Sequence, residues 1–196
     1  MGHDGICSIL ACVPDDSVLK NVIRKAADYA ARCGHDEVSD WHCFPVLLSE
    51  YPLDPATSVA LQGLAPRIFT EQLVQMVSCF PETQAISGAT FLLWRLVHRI
   101  YADERDVLHV GHIEPAHVYL ALLSRANGVV HSLYQMLDVD IRLCIRSLVG
   151  VIPMKKGREY IVEYYEVLYR VSQLLAPPAR DILRGALNNE HYSAAA

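Results

Sequence analysis

Two stretches of the chain, 75 residues apart, share one pattern of apolar and polar residues. They read VSDWHCFPVLLS at residues 38–49 and IEPAHVYLALLS at residues 113–124. An ungapped shift of 75 residues superposes His42 on His117 and the closing Leu-Leu-Ser of one stretch on that of the other. Identical polar residues in one register favour an internal duplication over chance similarity between two leucine-rich helices.

The same register continues on both sides of these stretches. Further identical pairs include Val22 with Val97, Ala27-Asp28 with Ala102-Asp103, Arg67 with Arg142, and Leu73-Val74 with Leu148-Val149. We therefore expect repeat one over residues 17–79, a linker rich in turn residues over 80–89, and repeat two over 90–152. An N-terminal extension at 1–16 and a C-terminal helical extension at 153–196 complete the predicted organisation.

The apolar spacing within the repeats is helical. The apolar positions of the first segment are Leu19, Val22, Ile23, Ala26 and Ala30. Their intervals of three and four predict a helix over 17–33 that ends before Gly34. Further helices are predicted to begin at Pro55, Pro66 and Pro115, because a first-turn proline lacks an N–H that the helix does not need. No period-two alternation is sustained, so the predicted fold class is all-α, with two pseudo-twofold related repeats of four helices each.

The C-terminal extension contains one strongly amphipathic segment. Its apolar face carries Ile161, Tyr165, Leu168 and Leu175. This spacing predicts a helix over 158–175. Two interpretations remain open: the helix docks on its own domain as an additional core helix, or it supplies a surface for a partner or for a homodimer. Docking in cis is preferred, because an exposed apolar stripe of this size is costly in a monomer.

The composition is that of a globular chain whose partner is a protein. Among 196 residues 52% are hydrophobic, and the formal net charge is -5, opposite in sign to a nucleic-acid or anionic-membrane footprint. The strongest apolar run, 91–100, is interrupted by three basic or imidazole side chains and is too short to span a bilayer. The apolar stretch 6–13 lacks a preceding Lys or Arg, so export is not expected. Six cysteines without C-x-x-C spacing indicate buried thiols in a reducing compartment, hence a cytoplasmic location.

The segment VGHIEPAHVYLALL at 110–123 resembles the core motif of the Clp N-terminal repeat. The first copy is similar through CGHDEV at 33–38 and the leucine-rich helix that follows. The Ile-Glu-Pro-x-His form is closest to the ClpB, ClpA and ClpV branch, and the resemblance covers residues 17–152. It implies an all-α domain that recognises substrates, adaptor proteins or, in the ClpV type, a helix of the secretion sheath.

The chain lacks the sequence of an unfoldase motor. A G-x-x-x-x-G-K-[ST] loop, which holds nucleotide phosphates through backbone N–H groups and a lysine, is absent from it. The predicted function is therefore non-enzymatic and needs no cofactor: an adaptor or regulator of a Clp-family unfoldase or protease that binds an apolar peptide or helix. The alternative is a ClpV-like type VI secretion component that binds a sheath-subunit helix.

The resemblance marks five residues as candidates for binding a peptide or partner. They are Trp41, His42, Ala116, His117 and Tyr119. Some family members bind phosphorylated arginine through a Glu directly before the motif histidine, where a carboxylate pairs with the guanidinium group. Trp41 and Ala116 stand there, so the pocket is expected to be more apolar. The histidines are read either as ligands or as packed side chains that satisfy the backbone, and Trp41 either as an interface anchor or as a packed ring.

Two chemical alternatives are weighed against this binding role. His109, His112 and His117 are metal-ligating types, but no cysteine or second histidine pair completes a tetrahedral set, so no metal is predicted. Cys43 beside the motif histidine would point about 100 degrees away from it on a helix, which disfavours a thiol-imidazole pair. Pro45 would remove a backbone bond or shift the helix start, so the first motif histidine is expected to sit differently from the second.

Overall fold

The described part of the chain consists of helices and their connecting loops and contains no strand, which confirms the all-α class. The computed structural model describes residues 2–14, 17–35, 38–39, 42–51, 61, 64, 67–69, 71–72, 75, 89–125, 129–152 and 157–175. The helices are α1 (Gly2–Ala11), α2 (Val18–Arg32), α3 (Cys43–Glu50), α4 (Ala89–Asp103), α5 (Pro115–Ser124), α6 (Val129–Met136), α7 (Ile141–Val151) and α8 (Arg158–Leu175). A π-helical turn, Glu104–Leu108, extends α4.

Several predicted helix bounds agree with the structure. Helix α2 begins after Ser17, whose hydroxyl accepts a hydrogen bond from the backbone N–H of Lys20 at 3.1 Å, and Gly34 follows the helix with φ 76°. Helix α5 begins at Pro115 and α8 spans 158–175, as the sequence predicts. The predicted helix from 55 and the linker core at 80–88 lie outside the described residues. In the predicted helix from 66, residues 67–69, 71, 72 and 75 are helical.

Helix α1 lies within residues 1–16, which were predicted only as an N-terminal extension. Ile6, Ile9 and Val13, spaced by three and four, are buried, and the helix packs against α2 and α4. The ammonium group of the mostly buried Lys20 donates to the carbonyl of Val13 at 3.1 Å, which ties the end of this segment to α2. Residues 2–13 are therefore part of the folded domain.

Helix α5 is the centre of the core. Every residue from Ala116 to Ser124 is buried, and the helix contacts α2, α4, α7 and α8. Tyr119 of this helix belongs to an aromatic cluster that also contains Phe44, Phe69 and Tyr134. A helix that is apolar on all sides must be covered on all sides, so the neighbouring helices are arranged around it.

Helix α8 docks on its own domain through α5 and α7. Ile161 and Tyr165 of its apolar face are buried. The buried carboxylate of Asp103 accepts hydrogen bonds from Arg125 at 2.7 Å, from the Tyr164 hydroxyl at 3.0 Å and from the Tyr165 hydroxyl at 3.3 Å. These polar contacts fix the helix in one position, since a buried carboxylate is tolerated only when it is paired. None of the helices in the described ranges is long and apolar enough to cross a membrane.

Candidate functional site

The two motif histidines make the same backbone hydrogen bond. His42 Nδ1 accepts from the backbone N–H of Ser39 at 2.8 Å, and His117 Nδ1 accepts from that of Glu114 at 2.8 Å. In each case the donor lies three residues earlier in the chain. Both rings are buried, with 1% and 4% of the residue surface exposed. At α5 this bond is the reverse arm of a capping box, from the third helical residue to the N-cap Glu114. At α3 it satisfies the N–H of Ser39 in the segment just before the helix.

Proline at position 45 shifts the helix start without disturbing this bond. Helix α3 begins at Cys43, so Pro45 is its third residue, where a helix needs no N–H. His42 therefore directly precedes its helix, whereas His117 is the third residue of α5. The two histidines were expected to sit differently. They do differ in their position relative to the start of the helix, but their Nδ1 atoms make the same backbone contact.

The second ring nitrogen distinguishes the two histidines. Because Nδ1 accepts, the neutral ring carries its proton on Nε2. His42 Nε2 lies 3.0 Å from Nδ1 of the buried His35 and can donate to it. The position equivalent to His35 is Val110, and the buried Nε2 of His117 has no hydrogen-bond partner among the described residues. The first motif histidine is therefore paired with a second histidine, and the second motif histidine has no such partner among the described residues.

Burial keeps both motif histidines neutral. It lowers the pKa of His42 from 6.5 to about 3, and the neighbouring His35 contributes to the same direction. Burial also lowers the pKa of His117. A general acid or base works best with a pKa near the operating pH. The His42 ring is thus suited to holding the backbone and poorly suited to moving protons at neutral pH.

The predicted binding residues that the structure describes lie in the core. His42, Ala116, His117 and Tyr119 are all buried. The Tyr119 ring contacts the Phe44 ring edge to face, with 5.9 Å between centroids. Trp41 lies outside the described residues. These four side chains pack against the chain itself, and a partner can reach only exposed atoms. Their burial favours a role in the core, and their role in binding a partner stays a prediction.

The described residues bring together no metal-binding constellation. No group of three or more His, Cys, Asp or Glu side chains within them is arranged to hold an ion. His112 Nε2 instead lies 2.8 Å from a carboxylate oxygen of Glu114 at an exposed position. The thiol of Cys43 is buried.

An apolar groove between α1 and α4 is a stronger candidate for binding. Its volume is about 250 Å³, and its lining residues are Ile9, Cys12, Val97, His98, Tyr101, Ala102 and Arg105. Ile9 and Val97 are buried, while Cys12, His98 and Arg105 are exposed at the rim. The lining positions on α4 recur at three and four residues, so one face of this helix forms one wall and α1 forms the other.

The groove could not be predicted from the sequence, because its formation depends on the long-range contact between α1 and α4. The signal for α1 is present in the spacing of Ile6, Ile9 and Val13. That α1 packs beside α4 cannot be derived from this spacing, since an apolar stripe specifies that a helix is covered but not by which element.

A second opening is wider and more polar. It has a volume of about 800 Å³ and lies between the α6–α7 turn and the end of α8. Tyr169 and His131 line it, with the hydroxyl 3.1 Å from Nδ1, and Asp138 holds φ 55° in the turn. Arg142 and Asp140 face each other there at 3.6 Å, so opposite charges offset one another within it.

Comparison of the chain with protein-family models, with curated proteins and with solved structures yields no match. The similarity to the Clp N-terminal repeat accordingly depends on the residues quoted from the sequence. The function that this similarity implies is a proposal.

Proposed function

We propose that this chain is a non-enzymatic protein-binding module of the Clp N-terminal type, which acts as an adaptor or regulator of a Clp-family unfoldase or protease. The observation that carries the proposal is the shared bond of His42 and His117, each to the N–H three residues earlier. These two residues are 75 positions apart in the sequence and make the same kind of backbone hydrogen bond, as a duplicated motif requires.

A second contact supports a pseudo-twofold arrangement of the two copies. Phe44 and Tyr119 occupy equivalent positions in the register and their rings touch. Under twofold symmetry, equivalent residues meet each other only near the axis. The axis of the proposed double repeat therefore passes between these two rings, inside the aromatic cluster.

The groove between α1 and α4 gives the proposed module a place to bind. A helix in a groove is recognised through apolar side chains at intervals of three and four. The groove offers apolar walls for such side chains, with His98 and Arg105 at its rim. We infer that an apolar peptide or the apolar face of a helix occupies it.

The second candidate is a ClpV-like component of type VI secretion that binds a sheath-subunit helix. The shape of the groove favours a helical ligand, because its walls are the sides of two helices. The two candidates differ in the identity of that ligand and not in the kind of surface that receives it.

Site-specific photo-crosslinking tests both candidates. A photoreactive p-benzoylphenylalanine replaces His98 at the groove rim, and the matched control carries it at Ser147, an exposed residue of α7. The expected result is one abundant crosslinked protein from the native cell for the groove position alone. An unfoldase, its protease or its substrate supports the adaptor, and a sheath subunit supports the second candidate.

A groove-filling variant completes the test. Ala102→Arg places a long charged side chain in the groove wall, and Ala31→Arg makes the same change at an exposed position of α2. The first variant should abolish the crosslink and the second should leave it intact. Equal crosslinking at both positions, or no effect of Ala102→Arg, would contradict a binding role for the groove.

A further inference from the structure

Helix α8 carries a second apolar stripe, separate from the one that it buries. Its members are Tyr160, Tyr164, Val167, Val171 and Leu174. The intervals alternate four and three, the heptad spacing of the seam between two packed helices. Tyr160 is 67% exposed and Leu174 is 85% exposed, and Val167 and Val171 are exposed between them. Only Tyr164, at the edge of the stripe, reaches back to the domain through its hydroxyl.

Two opposite charges lie beside this stripe on the same side of the helix. Glu163 and Arg170 are seven residues apart and both are exposed. They occupy one heptad position, the position next to the seam that sets partner choice and orientation in paired helices. The Arg170 guanidinium is 3.9 Å from Glu166 in its own helix, a loose contact that leaves it accessible from the seam.

We propose that the outer face of α8 is a docking surface for a second copy of this chain, which lies antiparallel to the first. A twofold axis between Tyr164 and Val167 places Tyr160 of each copy against Val171 of the other. The same axis places Glu163 of each copy beside Arg170 of the other, so two ion pairs form. A parallel arrangement holds Glu163 level with Glu163 and forms neither pair, which makes the charge pattern specific for the antiparallel dimer.

The size of the surface sets the strength of the dimer. An 18-residue helix is about 27 Å long at 1.5 Å per residue. A single helix pair with a few apolar side chains per copy belongs at the small end of protein interfaces, where association is weak or transient. We therefore expect a micromolar dissociation constant. This dimer is independent of the proposed binding groove, which lies on α1 and α4.

Analytical ultracentrifugation of the full chain over the micromolar range tests the proposal. The wild type should shift from monomer to dimer with rising concentration. Arg170→Glu brings like charges together at both pairs and should raise the dissociation constant by about tenfold or more. Glu163→Arg should do the same. The double variant Glu163→Arg with Arg170→Glu restores opposite charges and should recover dimerisation.

Cysteine crosslinking reports the register of the two copies. The axis places Tyr160 opposite Val171 of the other copy. A Tyr160→Cys, Val171→Cys double variant, in a chain whose exposed Cys7 and Cys12 are replaced by Ser, should therefore form a disulfide-linked dimer on mild oxidation. Ser147→Cys, exposed on another helix, should not. A wild type that stays monomeric over the whole concentration range would overturn the proposal. The partner of the stripe would then be residues 176–196 or a different protein. A double charge variant that fails to restore the dimer would also overturn the proposal.

Discussion

The two motif histidines perform one structural task in different surroundings. His42 and His117 both accept from a backbone N–H at 2.8 Å, yet only His42 has a second histidine within hydrogen-bond distance of its other nitrogen. The comparison separates two requirements of a buried imidazole. One nitrogen accepts from the backbone N–H three residues earlier in both stretches. The partner of the other nitrogen depends on the side chain at position 35 or 110.

Breaking the contact between the Phe44 and Tyr119 rings should produce the largest effect on stability. Phe44→Ala and Tyr119→Ala each remove a fully buried ring where the equivalent positions meet, and each should lower the free energy of unfolding by about 3–5 kcal/mol. Denaturant unfolding measures both values. Tyr119→Phe is the control, because it keeps the ring and should cost much less. A cost under about 1 kcal/mol for either alanine variant would show that the cluster is not tightly packed.

Removing the imidazoles should give two unequal losses. His117→Ala leaves the partly buried N–H of Glu114 without its acceptor and should cost about 1–3 kcal/mol. His42→Ala does the same to Ser39 and also removes the group paired with the buried His35, so we expect a loss about 1 kcal/mol larger. The two free energies of unfolding, measured side by side at pH 8, check the order. Equal losses would mean that the pairing of His42 with His35 contributes nothing to the free energy of unfolding.

Acid should destabilise the fold through the same histidines. The pKa of His42 is about 3 in the folded chain and about 6.5 when unfolded. Above pH 6.5 both states are neutral and the group has no effect. Between pH 6.5 and 3 the unfolded state takes up a proton that the folded state excludes, so stability falls by about 1.4 kcal/mol per pH unit from this residue. The loss is complete below pH 3.

The measurement is the free energy of unfolding as a function of pH in the wild type and in His42→Gln. The variant keeps a polar side chain at this position but does not titrate there, so its slope between pH 6.5 and 4 should be shallower. Identical slopes would assign the acid sensitivity to other groups. His117, whose pKa burial also lowers, should contribute to the slope in the same direction.

Elements with strong local signals could be predicted from the sequence. Helix α2 was predicted from its apolar stripe and Gly34, and α8 from the face that includes Ile161 and Tyr165. The start of α5 was predicted from Pro115. In each case the apolar period and the terminating residue are encoded within one segment, so no knowledge of tertiary contacts is needed.

The candidate site could not be predicted in the same way. Repetition marked His42 and His117 as important, but repetition alone does not distinguish a core residue from a surface residue. The groove requires α1 to lie beside α4, and the stripe on the outside of α8 requires knowing which of its two apolar faces is buried. Both facts come from packing between segments distant in the chain.

The smallest predicted effect is also the most direct test of the comparison, because it converts one copy into the other. Val110→His places an imidazole at the position that the 75-residue register makes equivalent to His35, where we expect it to face His117 as His35 faces His42. The buried Nε2–H of His117 then gains an acceptor, and the free energy of unfolding should rise by about 0.5–1.5 kcal/mol at pH 8. Val110→Leu is the control for side-chain volume and should give no such gain. The converse change, His35→Val, should make repeat one resemble repeat two and lower stability by a similar amount. If Val110→His stabilises only as much as Val110→Leu, the unpaired nitrogen of His117 is satisfied by another route and the two copies differ less than their sequences indicate.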